Sequence, residues 1–155
     1  MEFTEITKEC LTKSGWYEAR KIDISEYEKV LANGGYSIFD CAKKFLEQFG
    51  GLIITHPHRK VPEKTSDINI NPRQAVEGIY IEKVKDYEKI IGSPLVVVGE
   101  AHNRHMVLLM SSKGAIYEVF DDIVLFLGES GTDALNCLCN GFEPSPVNTQ
   151  ARRAE

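Results

Sequence analysis

The residues with the clearest capacity for chemistry are four histidines that fall in two pairs. His56 and His58 flank a proline, and His102 and His105 lie three residues apart in a short link between two apolar runs. Imidazoles at these spacings can share one zinc ion, and Glu100 is near enough in sequence to act as an acid or base beside it. Exposed loop histidines explain the same pattern, and zinc sites usually add cysteine or carboxylate ligands. A metal-dependent enzyme is therefore a remote alternative rather than the prediction.

The remaining reactive side chains form no recognisable active centre. Cys137 and Cys139 are two apart, and residues two apart on a helix point about 200° away from each other, so they cannot bind one ion together. The adjacent carboxylates of Asp121 and Asp122 are expected to be solvated at a strand end. The sequence has neither the G-x-S-x-G motif of hydrolases nor a glycine-rich phosphate loop. These observations predict a protein that is not an enzyme and has no cofactor or metal.

A protein-binding surface is the better-supported prediction, and its aromatic part begins at Trp16. Trp16 and Tyr17 are followed closely by Arg20. Trp, Tyr and Arg are the residue types that are enriched in the hot spots of interfaces. The alternative is that Trp16 packs in the core and that Arg20 pairs with a nearby acid. For Trp16 we favour the core position.

The acidic part of the predicted surface comes from carboxylates late in the chain. If the ends of strands gather these groups, they present a negative face that attracts a basic protein partner and speeds the encounter. A solvated acidic rim without a partner fits the pattern equally well. The carboxylates are Glu100, Glu118, Asp121, Asp122, Glu129 and Asp133.

Composition narrows the classes of protein to which the chain can belong. Its 155 residues are 43% apolar and 26% charged, which is typical of one globular domain. The net charge of −5 argues against a nucleic-acid partner, since such binders present basic patches to phosphates. No run of about 20 apolar residues is present, so no membrane span is expected. The first residues do not resemble a secretory signal, so we expect a cytoplasmic protein whose four cysteines are reduced.

The periodicity of apolar residues predicts five helices. Ser25 is expected to cap the second of them together with Glu28, and Ser130 is expected to cap the last. In the fourth helix, Tyr80 and Tyr87 are expected to share the buried face. The helices are predicted at residues 4–14, 25–33, 37–49, 80–91 and 131–140.

Short apolar runs predict strands, several of which are joined by links too short for a parallel crossover. The predicted fold is therefore α+β, with a mostly antiparallel sheet that forms a meander in the C-terminal half and is flanked by helices. Residues 56–64 are expected to be a loop, and residues 71–72 a turn or a helix start. The predicted domain spans 1–142, and a polar, flexible tail is expected at 143–155. The strands are predicted at residues 52–55, 65–70, 95–98, 106–110, 115–120 and 123–127.

Several short sequence stretches between residues 11 and 142 are informative through their order and spacing along the chain. Gly15–Arg20 follows the first helix, Phe45–Leu52 lies at a helix-to-strand junction, and Val98–Glu100 lies within a strand. Gly114–Tyr117 and Gly128–Ser130 come later, ahead of the last helix. In this order and spacing, the stretches resemble the SUKH superfamily of bacterial immunity proteins, which has the Smi/Knr-like fold, and in particular its third subgroup.

The resemblance implies a mixed, mostly antiparallel sheet flanked by helices. It also implies a bacterial immunity protein that binds a cognate polymorphic or contact-dependent toxin, often a nuclease or deaminase, and neutralises it by occlusion. The family has no catalytic residues, and the resemblance assigns Gly99 and Gly128 to backbone turns and Phe45 and Phe49 to the core. Because the same fold also serves as a general interaction module, an adaptor without a toxin is the alternative. The sequence predicts no oligomeric state.

Overall fold

Seven strands form one sheet in which the spatial order of the strands is their order along the chain. The structure is a computed structural model that describes residues 2–147. All pairings within that range are antiparallel, so the α+β class and the C-terminal meander are confirmed, whereas the mixed sheet is not observed. The strands are β1 Ile53–Pro57, β2 Thr65–Asn69, β3 Leu95–Ala101, β4 Met106–Ser111, β5 Ile116–Phe120, β6 Ile123–Gly128 and β7 Ser145–Pro146.

Within residues 2–147, six α-helices flank the sheet, and three of them have an N-terminal side-chain cap. Ser130 accepts a hydrogen bond from the Asp133 amide, as predicted, and Asn71 caps a short helix that begins at Pro72. The predicted cap at Ser25 is wrong, because Ser25 is the first helical residue and its hydroxyl donates to the carboxylate of Asp23 instead. The helices are α1 Glu5–Lys13, α2 Ser25–Asn33, α3 Asp40–Phe49, α4 Pro72–Ala75, α5 Ile81–Ile91 and α6 Gly131–Asn140.

Two segments predicted to be irregular extend the sheet. His56 and Pro57 continue β1 and pair with β2, so the predicted loop begins at residue 58. Ser145 and Pro146 pair with β6, which places the start of the predicted tail in the sheet. Residues 148–155 of that tail lie outside the described residues.

The register of the sheet separates neighbouring side chains onto two faces. Val107 pairs with Val119 and Leu108 pairs with Glu118, and successive residues of a strand point to opposite faces. Helix α6 packs on the face of Glu118, where it contacts β6 and β1. Helix α5 lies on the face of Val119. Glu100 pairs with Val107 and therefore lies on the α5 face.

Gly99 and Gly128 are required by close packing and not by turns, which corrects the role that the resemblance implied. Gly99 lies at a bulge in β3, where an added Cβ would be 2.4 Å from the carbonyl oxygen of Asn69 on β2. At Gly128, an added Cβ would be 2.5 Å from the Cβ of Asp133, in the first turn of α6. Each glycine therefore allows one element to approach the backbone of another.

Candidate functional site

The loop between β3 and β4 has an unusual backbone. His102, Asn103 and Arg104 adopt left-handed φ angles of 54°, 56° and 73° in succession. A left-handed conformation costs a residue with a side chain roughly 1 kcal/mol or more. The rest of the structure must therefore hold this loop in place.

Three side chains anchor the loop to the sheet. Arg104 Nε donates to Glu100 Oε1 at 2.9 Å, on the α5 face. His102 Nε2 lies 2.9 Å from Glu118 Oε2, on the α6 face. Asn103 exchanges hydrogen bonds with the backbone of Asp67 on β2. The loop is thus clamped to a buried carboxylate on each face, and such charge-assisted hydrogen bonds are the strong ones.

Two of the six carboxylates of the predicted acidic surface are held in this clamp and are buried. The side chains of Glu100 and Glu118 are only 5% and 3% exposed, and they lie on opposite faces of the sheet. Asp121 and Asp122 lie at the β5–β6 turn, whereas Glu129 follows β6 at the other end of that hairpin. The carboxylates therefore do not gather into one exposed acidic face.

A cleft of about 400 Å³ opens on the α5 face, beside Arg104. Its floor includes the buried carboxylate of Glu100, and its rim carries two large aromatic side chains. Tyr80 is 82% exposed and Phe120 is 51% exposed, which is unusual for residues of this size. We call this feature the aromatic cleft. It is lined by the segment 78–80, by Lys83 and Tyr87 of α5, and by Glu100, Val119 and Phe120 of the sheet.

Tyr87 fixes the wall of the aromatic cleft relative to the sheet. Its hydroxyl donates to the backbone carbonyl of Asp121 at 2.7 Å, next to Phe120. Burial, together with the neighbouring charges of Asp121, Asp122 and Asp86, raises the pKa of Tyr87 to about 12. The phenol therefore stays protonated and keeps donating at physiological pH.

Two cationic side chains in the aromatic cleft already have partners there. Arg104 is held by Glu100, and the Lys83 ammonium lies 5.2 Å from the centroid of the Tyr87 ring. An ionised carboxylate can accept about four hydrogen bonds, so Glu100 retains capacity for further donors. Glu100 Oε2 lies 3.5 Å from where a Cβ would be at Gly78, which is an ordinary contact distance, so this oxygen lies beside the segment 78–80. The aromatic cleft therefore combines aromatic surface with a carboxylate acceptor.

The sequence did not identify Tyr80 and Phe120 as site residues. Tyr80 was expected on the buried face of its helix, and that prediction is wrong, because Tyr80 precedes α5 with an extended backbone. The exposure of Phe120 could have been predicted from its position at a strand end. It is followed by Asp121 and Asp122, and a large apolar residue at such a position is easily left exposed.

Two of the three residues in the predicted aromatic surface, Trp16 and Arg20, have structural roles. Trp16 stacks on Phe49 with ring centroids 6.2 Å apart, which places it against the core. Among the described residues Arg20 has no acidic partner; its guanidinium donates to the carbonyls of Gln48 and Gly50 and so satisfies the C-terminal end of α3. Tyr17 is 61% exposed and remains available to a partner.

The four histidines do not converge. His58 Nδ1 accepts two backbone amides of its own loop, and His105 lines the aromatic cleft. Only His56 and His102 meet, at a small cavity of about 20 Å³ that Glu118 also lines. Among residues 2–147, no group of three or more His, Cys, Asp or Glu side chains is arranged to hold a metal ion.

His56 is buried beneath α6, and this should make stability depend on pH. Its Nε2 has no hydrogen-bond partner in the described part of the chain. Burial lowers the pKa of His56 below its ordinary value of 6.5, and the carbonyl of Pro57 only partly opposes this effect. The unfolded chain therefore takes up the proton more readily than the folded chain, so the free energy of unfolding should fall as the pH drops below about 6.5.

The measurement is urea unfolding at pH 7.5, 6.5 and 5.5. The loss of stability at low pH should be smaller in His56→Gln than in the unaltered protein. His58→Gln, in the neighbouring loop, serves as the control and should keep the original pH dependence. Equal pH dependence in the protein and in His56→Gln would show that His56 is not the source.

Comparison with known proteins gives one match. The family model of the SUKH-3 immunity protein matches residues 3–141. Searches of curated proteins and of solved structures found no match. Within the described residues, no helix has the length and apolar content needed to cross a membrane. Immunity proteins of this family are generally not enzymes. Because the matched region covers most of the chain, the chain belongs to the SUKH-3 immunity protein family, which supports a role as a bacterial immunity protein.

Proposed function

We propose that this protein binds a cognate toxin one-to-one and neutralises it by occlusion, with the aromatic cleft as the centre of the contact. The observation that carries the proposal is the buried carboxylate of Glu100 beneath the exposed rings of Tyr80 and Phe120. Tyrosine is enriched among the hot spots of protein interfaces, and aromatic residues including Phe are enriched in interface cores. Family membership supports the immunity role, and the exposed aromatic side chains of the cleft support its choice as the contact surface.

The chemistry of the aromatic cleft selects a basic side chain of the toxin. An arginine or lysine that enters the cleft can pack against its exposed aromatic side chains and donate to the free lone pairs of Glu100. The exposed carboxylate of Asp121 at the rim also attracts a basic group, while Lys83 and Arg104, which line the same cleft, already engage Tyr87 and Glu100. The net charge of −5 on the whole chain favours the same partner, because it speeds the approach of a basic protein.

A basic toxin surface is expected if the toxin acts on a nucleic acid. Nucleases and nucleic-acid deaminases hold their substrate through Lys and Arg residues that contact phosphates. A protein that covers those residues prevents substrate binding without any chemistry of its own. Affinity should therefore fall as the salt concentration rises.

The test is co-expression with the toxin encoded next to this protein. Cells that make both proteins should survive, and cells that make the toxin with an unrelated acidic protein of similar size should die. The purified pair should elute as a one-to-one complex. If cells with both proteins die as readily as cells with toxin alone, the proposal is wrong.

A further inference from the structure

The outer edge of β1 is open within residues 2–147. β1 is the first strand of the sheet and pairs only with β2. Two hydrogen bonds at its ends fix which residues face β2: Ile70 N–H donates to the carbonyl of Leu52, and His58 N–H donates to the carbonyl of Lys64. Because backbone groups alternate in direction along an antiparallel strand, the even-numbered residues of β1 are bonded to β2.

The odd-numbered residues of β1 therefore direct their backbone groups outward. Ile53 and Thr55 each present an N–H and a carbonyl group to this edge. Pro57 presents only a carbonyl, which lies 2.8 Å from His56 Nδ1. Unpaired strand edges attract other strands unless something covers them, and because Pro57 has no N–H, the donors that this edge offers are those of Ile53 and Thr55.

A groove of about 550 Å³ runs along this edge, between β1 and α1. Ile6 of α1 and Ile53 of β1 line it and are 48% and 59% exposed. Glu9 and Lys13 also line the groove, one turn apart on α1, and pair with each other at 3.3 Å. The groove thus offers backbone hydrogen bonds, apolar surface and balanced charge along its length.

We propose that a second copy of this chain occupies the groove, by pairing its β1 antiparallel to the first β1 about a two-fold axis at Thr55. The same surface of each copy then contacts its counterpart on the other copy, as an isologous interface requires. The two sheets join into one, and the two α1 helices run antiparallel along the junction. Glu9 of each copy lies opposite Lys13 of the other, while Ile6 and Ile53 of both copies become covered.

Two features favour a second copy over an unrelated strand. β1 is already extended and ordered in the fold, so its pairing costs no additional backbone ordering. The charges on α1 are also self-complementary under a two-fold axis, whereas a uniformly basic segment would oppose Lys13. The aromatic cleft is formed by other residues, so the dimer leaves it open and the inference does not rest on the proposed function.

The test is the oligomeric state of the purified protein without any toxin. Light scattering at ~200 µM should report about twice the 17.4 kDa mass of one chain, because a small interface of this kind gives micromolar affinity. Thr55→Pro removes the outward N–H without removing a backbone bond to β2, and it should yield a monomer. It also removes the hydrogen bond from the Thr55 hydroxyl to Asp67 Oδ1 on β2, and Thr55→Val shares that loss. Thr55→Val keeps the N–H group and is the matched control, which should remain dimeric.

Charge reversal tests the arrangement of the helices. Lys13→Glu should weaken the dimer about tenfold, because it places like charges opposite each other. The double variant Glu9→Lys with Lys13→Glu restores complementarity and should recover the dimer. A monomeric unaltered protein at ~200 µM would overturn the inference. A dimerisation constant that is unchanged in both Thr55→Pro and Lys13→Glu, measured over a dilution series, would also overturn it, since the interface would then lie elsewhere.

Discussion

Replacing Tyr80 with alanine is expected to weaken the complex with the cognate toxin by about 30-fold, and Phe120→Ala should have a similar effect. A hot-spot residue contributes about 2 kcal/mol or more when it is truncated, which corresponds to this factor. Both side chains are more than half exposed in the free protein, so their removal should leave the fold intact. The measurement is isothermal titration calorimetry with the purified toxin.

Tyr17→Ala is the matched control for that experiment. Tyr17 is also exposed, at 61%, but it lies outside the aromatic cleft, on the segment that precedes Arg20. Its truncation should change affinity by no more than about twofold, as most residues outside hot spots do. An equal loss in all three variants, or a loss only in Tyr17→Ala, would refute the aromatic cleft as the binding centre.

Glu100→Gln separates the charge of the cleft from its shape. Glutamine preserves the size of the side chain but removes the negative charge, so affinity should fall about tenfold and become less sensitive to salt. Arg104 is 51% exposed and can turn to water when it loses its partner, so the stability cost should be modest. Unchanged affinity and salt dependence would mean that no basic side chain of the toxin reaches Glu100.

The largest effect on stability is expected from Gly99→Ala. The added methyl group would lie 2.4 Å from the Asn69 carbonyl oxygen and 3.1 Å from the Ile70 Cα, and both are backbone atoms of a paired segment. They cannot rotate away, so β2 and β3 must separate. We expect a loss of about 3 kcal/mol in the free energy of unfolding, measured by urea denaturation.

Gly78→Ala is the matched control for Gly99→Ala. At Gly78 the nearest atom to an added Cβ is Glu100 Oε2, at 3.5 Å, which is ordinary contact. This change should alter stability by less than about 0.5 kcal/mol, as surface substitutions usually do. If Gly99→Ala is no more destabilising than Gly78→Ala, then β2 does not approach the β3 bulge as closely as described.

Most of the fold could be predicted because local signals and chain connectivity agree. The apolar stripe of α3, the cap at Ser130 and the short links between β3 and β6 each depend on residues close in sequence. The extension of β1 through His56 and Pro57 could not be predicted in this way. It depends on pairing with β2, and a histidine and a proline together favour a loop when read alone.

The candidate site was predicted less well, because its geometry depends on partners that are distant in sequence or on unusual backbone. The buried carboxylate of Glu118 pairs with His102, which is 16 residues away in sequence and has a left-handed backbone. Arginine is a common residue type in hot spots, but the guanidinium of Arg20 donates to a carbonyl group at the C-terminal end of α3. The exposure of Tyr80 follows from where α5 begins, and helix boundaries are the least certain part of a sequence-based prediction.

Hydrogen exchange measured on this protein with and without its toxin tests the location of the binding surface most directly. Slower exchange on binding is expected in residues 78–87 and 116–123, which carry the rim and wall of the aromatic cleft. Protection confined to other segments, for example residues 14–24 around Tyr17, would contradict the account.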